Sequence, residues 1–171
     1  DVMDQADTFI FQYDRGNWPL AQDVLLKSNA VEIQFGQGAY GGVGHMMKSE
    51  WMTGELRKEF KMKKGEDLIT RSRQPEVQNP RELKRLVDKL RHMTGGVPIG
   101  VKIAAGKYLE LDLYWICNSG VDFIVIDGAE AATKGSPPIL QDDFGVPTVF
   151  AINRAAKWME KHGFKERISL I

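Results

Sequence analysis

Three short stretches combine glycine with side chains able to hold an anion, a proton or a planar ligand. The first, Gly36-Gln37-Gly38-Ala39-Tyr40-Gly41-Gly42-Val43-Gly44-His45, has five glycines in the nine positions from Gly36 to Gly44. Glycine lets backbone amides approach a ligand closely and converge on an anion or a ring edge. The spacing matches neither a dinucleotide fingerprint nor a P-loop, so a ligand cradle and a mobile surface loop account for it equally well. The second stretch is Ile99-Gly100-Val101-Lys102-Ile103, followed by Ala104-Ala105-Gly106. The third is Asp127-Gly128-Ala129-Glu130-Ala131-Ala132-Thr133-Lys134-Gly135-Ser136-Pro137.

Lys102 is the one charge in an otherwise apolar run, and burying an ammonium is costly without a partner. It serves either as a binding cation or as a strand-end lysine whose head reaches solvent. Asp127 and Glu130 have the types needed for acid–base work or a metal, although two acidic residues in a turn more often cap the next element. His45, His92 and His162 share no metal-ligand spacing. His92 and His162 fall at the ends of helical patterns, where the helix dipole favours a cation, which leaves only His45 as a candidate.

The elements around these stretches position them. Asn79 is a good N-cap with Pro80 at the first helical position. Leu83, Leu86, Val87, Leu90 and Met93 then recur at helical spacing up to Gly95-Gly96. A buried strand is expected from Val97 to Ile103, a helix carrying Leu109, Leu113, Ile116 and Cys117 up to Gly120, and a second buried strand from Val121 to Ile126. A helix from Val149 to His162 closes at Gly163, and Ile168 to Ile171 begins another apolar run. Upstream, Thr8 to Gln12 and Ala30 to Phe35 read as strands around a helix from Leu20 to Lys27. Residues 36 to 78 are expected to be mostly loop with one helix around Glu50 to Phe60. Alternating apolar strands and amphipathic helices predict a parallel α/β fold, whose ligands sit at the carboxyl ends of strands. All three candidate stretches fall there.

The 171 residues suffice for one domain, expected over the whole length with the glycine-rich excursion at 36–78. A complete eight-stranded barrel takes about 250 residues, so five or six strands predict a portion of one, from a fragment or an incomplete chain. Lysine plus arginine and aspartate plus glutamate each total 23, which argues against nucleic acid as a partner. With one cysteine, Cys117, the chain alone holds no disulfide and no all-cysteine cluster. The amino end lacks the features of a signal peptide and no apolar run is long enough to span a membrane, which predicts a cytoplasmic protein without membrane contact.

The succession Val31-Glu32-Ile33-Gln34-Phe35-Gly36-Gln37-Gly38-Ala39, Ile99-Gly100-Val101-Lys102, Val121-Asp122-Phe123-Ile124-Val125-Ile126-Asp127-Gly128, Gly145-Val146-Pro147-Thr148 and Arg167-Ile168-Ser169-Leu170-Ile171 resembles the FMN-binding synthase domain of glutamate synthases. The resemblance runs from Phe9-Ile10-Phe11-Gln12 onward and implies a parallel (β/α)8 barrel of the TIM type around FMN. It implies addition of ammonia from a glutaminase domain to 2-oxoglutarate and reduction of the imine by the flavin, with an electron-donor domain or subunit as a further partner. An iron–sulfur cluster is implied only through cysteines that follow the matched region. By the same resemblance Gln12, Gln37, Lys102, Asp127, Gly128 and Thr133 hold the cofactor, with Lys102 near the electron-rich edge of the flavin, where a cation stabilises the reduced anion. Gly38, Tyr40, His45 and Met46 meet the substrate.

Several positions depart from the family pattern. Tyr40 stands where a lysine helps hold the oxoacid, Met46 where a glutamine does, and Phe11 where a lysine is frequent. Ala131-Ala132-Thr133-Lys134 replaces glycine-glycine-threonine-glycine. These departures predict weakened dicarboxylate binding and leave two alternatives to a glutamate-synthase-like enzyme: an FMN barrel acting on another substrate, and a catalytically silent structural subunit.

Overall fold

A computed structural model describes residues 5–16, 21–40, 43–44, 46–131 and 136–171. Strand β1 (Ile10–Tyr13) leads through α1 (Gln22–Lys27) to β2 (Ala30–Gln34). A 3-10 turn (Gly38–Tyr40) and an excursion containing β3 (Met46–Met47), a 3-10 turn (Ser49–Trp51), α2 (Gly54–Glu59) and β4 (Leu68–Ile69) precede α3 (Pro80–Met93). Then follow β5 (Ile99–Ala104), α4 (Leu109–Cys117), β6 (Phe123–Asp127), a 3-10 turn (Ala129–Ala131), α5 (Pro138–Asp143), α6 (Thr148–Lys161) and β7 (Ser169–Leu170). Strands β1, β2, β5, β6 and β7 form one parallel sheet in that order, and β3 pairs antiparallel with β4. This is the parallel α/β architecture expected from the sequence, with strand limits moved by one or two residues.

Side-chain alternation divides the sheet into two chemically different faces. Val31, Ile33, Ile99, Val101, Ile103, Ile124 and Ile126 pack with Leu83, Leu86, Val87 and Leu90 of α3, Leu109, Leu113 and Ile116 of α4, and Ala151, Ala155 and Met159 of α6 in one core. Each fully buried leucine or isoleucine there contributes about 1.5–3 kcal/mol. The intervening residues, Gln12, Glu32, Gln34, Lys102, Val125 and Asp127, therefore belong to the other face. The helices hold the sheet by its apolar side, and the other side carries the polar residues, of which Gln34 and Asp127 are buried.

Local chemistry fixes the helix that sets this arrangement. Asn79 Oδ1 accepts from the backbone N–H groups of Arg81 and Glu82, each at 3.1 Å, while the Glu82 carboxylate accepts from Gln78 N at 2.6 Å. The chain leaves α3 through Gly95 and Gly96, at φ of +72° and +106°, a region glycine enters without steric cost. Asp122 then accepts from Ile99 N at 2.7 Å and from Arg91 at 2.5 Å, tying the end of α3 to the starts of β5 and β6.

The excursion differs from expectation. The single helix read around Glu50 to Phe60 is broken by extended backbone at Met52 and Thr53, and Thr53 Oγ1 instead caps α2 by accepting from Leu56 N at 3.2 Å. The β3–β4 hairpin and α5 were also not anticipated, because two-residue strands carry no readable period and α5 starts from a proline pair within a polar stretch. No helix among the described residues is long and apolar enough to cross a membrane.

Candidate functional site

At the carboxyl ends of β2, β5 and β6 the polar face converges on one carboxylate. Asp127, 9% exposed, ends β6, where Ala104 of β5 is its register neighbour. Its Oδ1 lies 2.8 Å from the Lys102 ammonium, and its Oδ2 accepts from Gly38 N at 2.8 Å. Lys102 projects from β5 on the polar face, in register with Gln34 of β2. The cation that looked expensive in an apolar strand thus has a nearly buried counter-ion, and the same carboxylate pins the turn that follows β2.

That turn is pressed into place. A Cβ at Gly38 would stand 1.9 Å from the Gly128 carbonyl oxygen, so only glycine lets the turn lie against the end of β6. Ser136 Oγ donates to the Ala39 carbonyl at 2.5 Å, and Gln141 donates to the Ser136 carbonyl at 2.6 Å. Tyr40, 4% exposed, is consequently held inward. Glu130 accepts from Thr148 N at 2.9 Å and from Thr148 Oγ1 at 2.8 Å, so it caps α6, and those bonds hold its carboxyl below the usual range. Of the two acidic residues, Glu130 takes the capping role. No cluster of metal-ligating side chains occurs among the described residues.

Two cavities open beside this constellation. The smaller, about 260 Å³, is lined by Gln12, Asp14, Arg15, Gln34, Gln37, Tyr40 and Thr70. The larger, about 410 Å³, lies on the helical side, with walls from Phe35, Leu83, Ile103 and Trp115 and polar groups from Gln37, Arg73, Gln74 and Asp112. The smaller one unites three residues singled out in the sequence, Gln12, Gln37 and Tyr40. Lys102, Asp127, Gly128 and Gly38 are its neighbours at the strand ends but do not line it. Met46 is elsewhere: it is 50% exposed in the hairpin, paired with Ile69. His45 and Thr133 lie outside the described residues. His92 falls in the last turn of α3, and His162, the C-cap of α6, stacks on Trp158.

Arg15 and Gln34 line the smaller cavity and were not singled out in the sequence. Gln34, 6% exposed, was legible in principle as a polar residue ending an apolar strand. Arg15 carried no signal, because an arginine in a polar Asp-Arg-Gly turn looks like surface. It is 3% exposed, donating from Nη1 to the carbonyls of Phe35 and Ser72, each at 3.3 Å, and from Nη2 to that of Val43 at 3.5 Å. Burial pulls its guanidinium below its ordinary value, while Asp14 and Tyr40 act in the opposite direction.

Gln12 and Gln34 on the polar sheet face and Gln37 in the turn after β2 present carboxamides to the smaller cavity, with the Lys102 ammonium beside it at the strand ends. Gln12 is oriented by donating to Glu32 Oε1 at 2.8 Å.

The family model described as the conserved region in glutamate synthase matches residues 1–171. The chain is 30% identical over 167 residues to an archaeal glutamate synthase [NADPH] of Methanocaldococcus jannaschii, covering 97% of this chain and 33% of that protein. It is 29% identical over 171 residues to an archaeal-type glutamate synthase [NADPH] of Dehalococcoides mccartyi, covering 99% and 34%. A glutamate synthase large subunit-like protein of Rhizobium meliloti is 25% identical over 168 residues, covering 97% and 38%. The chain spans about a third of the length of these curated relatives.

Proposed function

We propose, from the premise that this chain belongs to the glutamate synthase family, that residues 1–171 form one unit of an FMN-binding (β/α) barrel in an enzyme converting 2-oxoglutarate and ammonia to glutamate. The observation that carries this reading is the meeting of Lys102, Asp127 and Gly38 at the strand ends, next to a cavity lined by Gln12, Gln34 and Gln37. Held by Gln12, Gln34 and Gln37, FMN reduced by the electron donor of the complete enzyme would supply the hydride that reduces the imine. Lys102 contributes positive charge toward the flavin's electron-rich edge, where it favours the reduced form. Asp127 holds Lys102 and keeps the glycine-rich turn against β6. The three glutamines orient the ring through their carboxamides, and Gly128, packed against Gly38, keeps the approach narrow. Thr133 for the cofactor and His45 for the substrate are assigned by the family resemblance alone.

The names of the archaeal-type relatives support NADPH as the electron source of the complete enzyme. A glutaminase and an electron-donor domain or subunit supply ammonia and electrons, any iron–sulfur cluster is held by residues outside this chain, and the enzyme works in the cytoplasm. A second reading, an FMN barrel with a different oxoacid, is favoured by Tyr40, a buried phenol where the resemblance implies a lysine. Incubation of the FMN-loaded protein with a chemical reductant, ammonium and 2-oxoglutarate, with glutamate quantified by mass, tests the first reading. Glutamate formation supports it. Turnover of another oxoacid in its place supports the second, and flavin retention with no turnover of any oxoacid overturns both.

A further inference from the structure

The larger cavity has no part in the chemistry proposed above. Its volume of about 410 Å³ falls in the range of sites that take small organic ligands, and it lies on the helical side of the sheet. Its walls are apolar and partly aromatic: Phe35 follows β2, Leu83 comes from α3, Ile103 from β5, and Trp115 and Ile116 from α4. Trp115 is 44% exposed, so its indole is not used up by the core.

Gln74 meets the same cavity with an unmatched acceptor. It is 1% exposed, and its Nε2 donates to the carbonyls of Tyr13 and Asp14 at 3.5 and 3.4 Å, which identifies the other end of the carboxamide as the oxygen. That oxygen, Oε1, is buried without a hydrogen-bond partner among the described residues. A buried acceptor without a donor costs its full desolvation, and native structures rarely leave one so. A ligand that answers it must bring a donor.

The charges around the cavity narrow the ligand further. Arg73 and Asp112 line it, both exposed and of opposite sign, and Arg15, which lines it too, has Asp14 beside it. This balance selects neither an anion nor a cation. A flat neutral ring covers the aromatic and aliphatic walls, and an N–H in its plane reaches a carbonyl oxygen. A water molecule at Oε1 would supply the donor but leave those walls wet.

We propose that this cavity is a second binding site, taking a neutral aromatic heterocycle of the size of an indole or a purine. The ring lies against Phe35 and Trp115 and donates an N–H to Gln74 Oε1. The site rests on the cavity and the unmatched carboxamide oxygen, and does not depend on the flavin reading.

Indole and 1-methylindole, alike in shape but differing in the N–H, test it on the full chain. The readouts are the Trp115 Nε1–H resonance, identified by its loss in Trp115→Phe, and the Gln74 side-chain amide pair, identified by its loss in Gln74→Met. Indole is expected to shift both signals saturably, and 1-methylindole to bind roughly ten-fold or more weakly, the cost of leaving Oε1 unmatched. In Gln74→Met, which keeps the side chain's length and removes the acceptor, the preference for indole should disappear. No saturable shift with indole, or equal affinity for the two compounds in the wild-type protein, overturns the proposal. Should Gln74→Met fail to fold, the wild-type comparison still decides. Displacement of indole by FMN would assign the cavity to the flavin and overturn it as a separate site. Saturable indole binding by a protein that does not bind FMN would leave this site intact and sink the flavin reading alone.

Discussion

The Lys102–Asp127 pair offers a quantitative test of the site's construction. The two groups are 2.8 Å apart at 19% and 9% side-chain exposure, and Asp127 also accepts from Gly38 N at 2.8 Å. Removing one partner of a buried pair typically costs 3–5 kcal/mol, because the remaining charge is left in a poor solvent. Partial exposure of Lys102 places Lys102→Met toward the lower end, at about 3 kcal/mol. Asp127→Asn keeps an acceptor for Gly38 N but abandons the ammonium, at about 2–3 kcal/mol. The double variant removes both charges together, so its cost should fall below the sum of the single costs by about 1.5–3 kcal/mol. Urea unfolding of the four proteins, compared at constant m, measures this. Additivity within about 0.5 kcal/mol would refute the claim that these groups depend on each other.

Further outcomes follow from individual contacts. Gly38→Ala, which sets a methyl 1.9 Å from the Gly128 carbonyl, should lower stability by about 1–3 kcal/mol in thermal unfolding, whereas Gly54→Ala, with open space around its Cβ position, should be nearly neutral. Burial raises the Cys117 thiol to about 11, and burial together with Glu76 raises the Tyr13 phenol. Both protons are held more tightly folded than unfolded, so stability is full below the ordinary thiol range and falls as pH rises from about 9 toward 11. Unfolding at stepped pH should show this decline, shallower in a Cys117→Ser, Tyr13→Phe variant. Glu110, held below the usual carboxylate range by Arg154, contributes at neutral pH and loses that contribution as pH falls through the acid range. As a half-exposed contact between α4 and α6, it should cost no more than about 1 kcal/mol in Glu110→Gln, measured by urea unfolding.

What could be read from the sequence depended on how locally each feature was specified. The α3 helix was fully legible because Asn79, Pro80 and the two glycines act within a turn of their own positions. Lys102 and Asp127 stood out because a charge in or just after an apolar run is improbable unless it has a role. That both lie at the carboxyl ends of strands, near one another, was legible as well; that they meet as an ion pair depends on the register Ala104↔Asp127. Arg15 escaped notice for a related reason: its burial comes from Phe35, Val43 and Ser72, segments 20 to 57 residues away that close over it. Where Met46 lies was not legible either, since a two-residue strand paired with Ile69 carries no readable period.

The central claim is that this sheet face binds a flavin, and the most direct test is titration of the protein with FMN, followed by flavin absorbance and fluorescence. Saturable one-to-one binding, with the spectrum perturbed and the affinity reduced in a folded Lys102→Met variant, is the predicted result. Absence of saturable binding, or binding indifferent to Lys102, would contradict it.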